Sequence, residues 1–238
     1  MELNELYAYV NKIDNYAQNP DILPIIIEEI DDFDSEQIEK LIQILADKNK
    51  TNKSLDSLII AMLLSGANNW NNWRELNSNK TLNINDLDLN KIGIINFDNY
   101  NLTDVNMSGC VGTNISFYRT DLSNCNLINT SFNKCSFTKA SLENSNFENS
   151  ILADCNLSKA FAYNANFTNA KFNQCKLTLA TIEQANFTGT SIINCDIDKS
   201  NFIKTDLSVI GNSNNIRISD KLNFDNLEKA VIYLLHNS

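Results

Sequence analysis

The sequence predicts a mainly β fold, a solenoid that repeats every five residues, with helical segments before and after it. Three observations carry this reading. From Leu82 to Leu207 in steps of five, 24 of 26 positions hold Leu, Ile, Phe or Met, the departures being Gly112 and Ala162. The position two before is small through most of the run, as at Thr120, Cys125, Cys135, Ala140, Ser145, Cys155 and Ala165. A period of five matches neither 3.6 nor 2, so an ordinary helix or strand would scatter these side chains around its circumference. A chain that turns about 90° every five residues brings them all to one axis.

The elements follow in chain order. Residues 1–79 read as an acidic α-helical domain. Leu3, Leu6, Tyr7, Val10 and Ile13 mark an amphipathic helix that ends before Asn19-Pro20, and Ile22 to Ile30 a second. Ser35 caps a third over Glu36 to Lys48, and Ser54 a fourth over Leu55 to Ser65, stopped at Gly66. Trp70 and Trp73 then lead into the solenoid, where an aromatic can cover the open end of the first coil or serve a binding role.

Residues 80–210 hold the repeat. Between the small and the large apolar positions stands Asn or Asp, as at Asn126, Asn146, Asn166, Asn186 and Asn201, and the two following positions are polar. This pattern, A/C/S/T then N/D then L/F then two polar residues, resembles the pentapeptide-repeat family over more than half of the chain. The resemblance implies a right-handed quadrilateral β-helix in which each pentapeptide is one side of a square coil. Twenty residues then make a coil, the array about six and a half coils, and the stack roughly 30 Å at ~4.8 Å per coil. Positions 20 apart should lie above one another: Phe97, Phe117 and Phe137 in one column, Phe147, Phe167 and Phe187 in another. Asn124, Asn144 and Asn164, with Asn129, Asn149 and Asn169, form outward corner columns, where Asn tolerates turn geometry. Residues 211–238 carry Phe224, Leu227, Ala230, Val231, Leu234 and Leu235 as an amphipathic helix that caps the solenoid or makes a homodimer.

Net charge is −10, concentrated at the N-terminus: residues 1–79 carry 14 acidic and 6 basic residues, whereas residues 80–210 carry 12 and 10. All six cysteines fall on the small inward position and read as packing residues, not disulfides or metal ligands. The one histidine, His236, has no nucleophile or carboxylate constellation around it, and the six glycines form no phosphate loop. No enzyme activity, cofactor or metal is expected. The N-terminus has no basic and apolar leader pattern, and the longest apolar stretch is too short to span a bilayer. The expectation is a cytoplasmic protein, with secretion into a host as an effector the other route.

The residues leave two functions. The first is a non-enzymatic binding scaffold, a rigid solenoid presenting a helical domain to a protein partner. Its candidate binding residues are Phe161 and Tyr163, flanking the small Ala162, and Ile203 in the Tyr163 column. The second is implied by the resemblance: members of the family mimic duplex DNA and bind a type II topoisomerase, DNA gyrase. Against it stands a basic column, Arg119, Lys139, Lys159 and Lys199, in which Leu179 fills the remaining rung. Such an edge repels the cationic site of a topoisomerase and offers instead a docking stripe for an acidic partner. Direct nucleic-acid binding is not expected.

Overall fold

The computed structural model describes Gln37, Ile59, Met62, Leu63 and residues 66–76, 78, 82–91, 93–207, 209–214, 216 and 217. The helices expected before Ser54 and after Asn223 lie outside these residues, apart from Gln37, which is helical. The chain divides into two compact units, Met1–Ile84 and Asn85–Ser238.

In the first unit, Ile59, Met62 and Leu63 are helical and buried. Helix α1 follows at Ala67–Leu76. The sequence reading left this stretch as a lead into the solenoid, but Trp70, Trp73 and Arg74 stand three and four residues apart, on one helical face. All three are buried, the two indoles 5.9 Å apart with planes at 47°. Strand β1, Leu82–Asn83, ends the unit.

The second unit is a parallel β-solenoid, part of an array of about seven turns. After β2 (Val105–Asn106), strands β3 (Val111–Thr113), β4 (Ser131–Asn133), β5 (Ile151–Ala153), β6 (Lys171–Asn173), β7 (Ser191–Ile193) and β8 (Asn212–Asn214) form one six-stranded sheet in sequence order. This sheet is one side of the coil. The other sides are columns of single bridges, among them Asn101, Asp121, Ser141, Phe161, Thr181 and Asn201, each bridged to the next along the column, 20 residues on.

Each part of the five-residue pattern has a physical cause. The large apolar residue lies on the axis, and its N–H donates to the next coil, as Phe147 does to the Asn166 carbonyl at 2.7 Å. The small residue donates a side-chain hydrogen to a carbonyl of the coil below: Thr120 Oγ1 to Phe97 at 2.6 Å, Ser200 Oγ to Leu177 at 2.6 Å and Cys125 Sγ to Leu102 at 2.9 Å. A larger residue would not fit against that carbonyl, and Ala fits without the bond. The Asn or Asp accepts the N–H two residues on, as Asn146 Oδ1 does from Glu148 at 3.0 Å, closing an Asx turn. The corner residue then takes a left-handed backbone, φ being 58° at Asn124 and 55° at both Asn144 and Asn164. Asn164 Nδ2 also donates to Asn144 Oδ1 at 2.8 Å, along the stack.

Both predicted phenylalanine columns form. Phe117 lies between Phe97 and Phe137, and Phe167 between Phe147 and Phe187, with centroids 4.8 to 5.4 Å apart.

The register departs from the sequence reading at both ends. Asp88 pairs with Val111, 23 residues away, whereas Asn96 pairs with Ser116, 20 away, so three extra residues lie between Asp88 and Asn96. Leu89 and not Leu87 therefore takes the central position opposite Gly112, while Leu87 offers its carbonyl to Val111 from the small inward slot. Where this coil widens, the Asn90 side chain substitutes for a backbone rung: Nδ2 donates to the Thr113 carbonyl at 2.9 Å and Oδ1 accepts its N–H at 2.7 Å. At the far end, beyond the repeat expected to close at residue 210, the pairing continues with a slip of one. Ser191 pairs with Asn212, and Ser213 lies buried opposite Ile192.

Candidate protein-binding face

The side of the coil built on the Asn101-to-Asn201 column holds most of the candidate binding residues. Along one pentapeptide the chain runs from the corner at Lys159 through Ala160, Phe161, Ala162 and Tyr163 to the next corner at Asn164. Ala160 and Ala162 point in and are buried. Phe161 and Tyr163 point out, with 55% and 39% of their surface exposed. Neither ring turns inward to fill the space left by Ala162. Phe161 occupies the slot that holds Asn, Asp, Ser or Thr on every other described rung of this side.

Leu179 belongs to this patch and was missed as a binding candidate. It stands at the corner directly above Lys159, 47% exposed. Its φ is 61°, in the left-handed region that a Leu adopts only at a cost of about 1–2 kcal/mol. The signal in the sequence was a single apolar residue in a column otherwise Arg or Lys. Ile203 lies half-buried in the Tyr163 column, with Glu183 between them. Glu183 Oε1 accepts from Asn201 Nδ2 at 2.6 Å.

The basic column forms the adjoining edge, Arg119, Lys139, Lys159 and Lys199 all having φ between 55° and 61°. Tyr118 is clasped by two of these cations. The Arg119 guanidinium carbon lies 5.1 Å from the ring centroid, and Lys139 Nζ 5.4 Å from it and 3.2 Å from the hydroxyl. Lys199 sits 3.8 Å from Asp198. Lys159, below Leu179, makes no ion pair with a described residue. Glu143 and Glu183 bracket Tyr163 on the opposite flank, so the face is basic along one edge and acidic along the other. Trp70 and Trp73 are not on a surface.

The buried cysteines form a second concentration of reactive atoms. Cys135, Cys155, Cys175 and Cys195 stack in one column, the Cys175 N–H lying 3.4 Å from Cys195 Sγ. Burial pushes the Cys110 thiol up to about 11. Cys135 and Cys175 are held above the usual thiol range by hydrogen bonds to neighbouring sulfurs and by burial. Cys155 and Cys195 are shifted the opposite way by hydrogen bonds from the neighbouring thiols, and burial keeps all four sulfurs from solvent. Among the described residues, no cluster of His, Cys, Asp or Glu is arranged to hold a metal ion, and no helix is long and apolar enough to cross a membrane.

A family model described as pentapeptide repeats (8 copies) matches three times, over residues 115–152, 152–184 and 180–208. No curated protein sequence matches the chain. Among solved structures it is similar to HetL, a pentapeptide repeat protein involved in heterocyst differentiation regulation from Nostoc sp. strain PCC 7120, at 14% identity and a TM-score of 0.30, over 55% of this chain and 66% of HetL. It is similar to a pentapeptide repeat protein from the Arabidopsis thaliana thylakoid lumen, at 22% identity and a TM-score of 0.27, over 58% of this chain and 89% of that one. The plasmid-mediated fluoroquinolone resistance protein QnrB1 matches at 15% identity and a TM-score of 0.26, over 66% of this chain and 97% of its own. With five-residue copies that each turn one side of a four-sided coil, hydrogen-bonded 20 residues apart, residues 115–208 of the chain belong to the pentapeptide repeat family.

Proposed function

We propose that the protein is a non-enzymatic protein-binding scaffold whose solenoid holds a small apolar patch, Phe161, Tyr163 and Leu179, in fixed positions for a protein partner. The observation that carries this is the exposed Phe161 in a slot otherwise polar. A large ring there forfeits the Asx hydrogen bond of that slot and leaves apolar surface in water, a cost that binding recovers. Backbone pairing above and below fixes the ring's position, so little ordering entropy opposes association.

Topoisomerase mimicry is the weaker reading, since the basic column beside the patch presents cations where a DNA mimic needs anions. The test uses the full chain, with Phe161→Ser beside the wild type, as bait for binding partners, and adds a gyrase supercoiling assay. A partner retained by the wild type and lost by the variant supports the scaffold. Capture indifferent to Phe161, together with inhibition of supercoiling or protection from a quinolone, replaces it with mimicry.

A further inference from the structure

We infer that the Phe161 face binds a second copy of this chain, two solenoids packing side to side with parallel axes about a two-fold. This deepens the scaffold reading and rests on it. The argument is the arrangement of charge about the patch. Across the face, in chain direction, stand the basic corner (Lys139, Lys159), the Phe161 column, the Tyr163 column with Glu143 and Glu183, and a far corner that is uncharged at Asn124, Asn144, Asn164 and Gln184 and basic only at Lys204 on the last rung. An acidic partner attracted by the lysines meets Glu143 and Glu183, and a basic partner meets the lysine edge. A surface with the same two flanks in the opposite order satisfies both, and a second copy facing the first has that order.

The direction of the two-fold follows from the same columns. With its axis along the solenoid, each residue meets the column that mirrors its own at the same height. Phe161 then packs on the second copy's Tyr163, and Lys159 faces its Asn164, one column outside Glu143 and Glu183 and between their heights, so the long lysine side chain reaches either carboxylate. With the axis across the solenoid, lysine meets lysine and glutamate meets glutamate. Complementary flanks therefore select the parallel pair, and the interface is isologous. The face spans five rungs at about 4.8 Å and five residues at about 3.3 Å, roughly 19 by 16 Å. That is about 300 Å² on each copy, roughly 600 Å² in all and below the range of stable specific interfaces, so a weak, transient dimer with dissociation at about 100 µM is expected.

The test is sedimentation velocity on the full chain from about 1 to 200 µM, with circular dichroism melting to show that each variant is folded. The wild type should pass from monomer to dimer across this range, and Phe161→Ser should raise the dissociation constant at least tenfold. Lys159→Glu and Glu143→Lys should each weaken the dimer by placing like charges in both symmetry-related contacts. An equimolar mixture of the two variants should dimerise more tightly than either alone, because the heterodimer restores an opposite-charge pair at both contacts. A wild type that stays monomeric, a dimer untouched by Phe161→Ser, or a mixture no tighter than its components overturns the inference. If the chain is monomeric yet loses a different captured protein on Phe161→Ser, self-association falls and the scaffold reading stands. If that capture is also unchanged, both fall.

Discussion

Phe117 and Phe137 stack face to face on the solenoid axis, centroids 4.8 Å apart and planes within 8° of parallel. The spacing is close to that between hydrogen-bonded strands, so backbone pairing and ring stacking are satisfied together without strain. Phe117 also meets Phe97 at 5.1 Å and the edge of Phe132 at 5.5 Å. Phe117→Ala should therefore cost about 3–5 kcal/mol, since ladders above and below keep the coil from collapsing into the cavity. Urea denaturation followed by circular dichroism checks this, with Phe117→Leu expected to lose less.

The corner at Leu179 should yield the opposite sign. Asn is the residue this backbone prefers, and it occupies six of the other corners described above. Leu179→Asn should raise the melting temperature of the monomeric protein, by about 1 kcal/mol of stability, through relief of the left-handed penalty. Calorimetry at low protein concentration separates this gain from any loss of association.

Cys110 should make the protein sensitive to alkali. Its folded pKa of about 11 lies above the ordinary 9.0, so the folded state disfavours the thiolate. The stabilisation is complete below about pH 9 and is lost as pH rises through about 11, roughly 2–3 kcal/mol in all. Chemical denaturation at pH 8 and pH 11 should show a smaller loss for Cys110→Ala than for the wild type.

The cysteines should also be silent to a bulky thiol reagent. All six are buried and reduced. Labelling of the native protein at pH 7.5 should proceed only at the rate of unfolding and run to completion in denaturant. Rapid native labelling of Cys155 or Cys175 would show that the column opens locally.

Much of the coil was legible because a period of five leaves so few ways to bury Phe, Leu and Ile together. The phenylalanine columns and the corner asparagines followed from that period together with the four-sided coil that the resemblance implies. What was not legible was where the count breaks. Leu82 and Leu87 continue the apolar series by number, and Asp86 ahead of Leu87 fits the Asx slot as well as Asp88 ahead of Leu89 does, so the two registers look alike until the left-handed corner at Asp86 is seen. The binding face was only half legible. Phe161 and Tyr163 stood out as apolar residues in polar positions, whereas Leu179 looked like a gap in the lysine column until its exposure and backbone conformation were seen. The two tryptophans read either as a cover for the array end or as binding residues, and helical spacing buries both.

The departures of three residues before Asn96 and of one before Asn212 bear on how such a chain can change length. Because each rung recognises only the residue twenty positions on, the molecule is a ruler graduated in whole turns. Loss or gain of twenty residues within 97–200 exchanges one rung for another and alters the distance between its ends by about 4.8 Å, leaving every remaining pair intact. Any other number must be shed locally, and Asn90 shows how: one side chain that both donates and accepts can stand in for a missing peptide. A lineage can therefore tune the separation of two attached modules in discrete steps, without redesigning either of them.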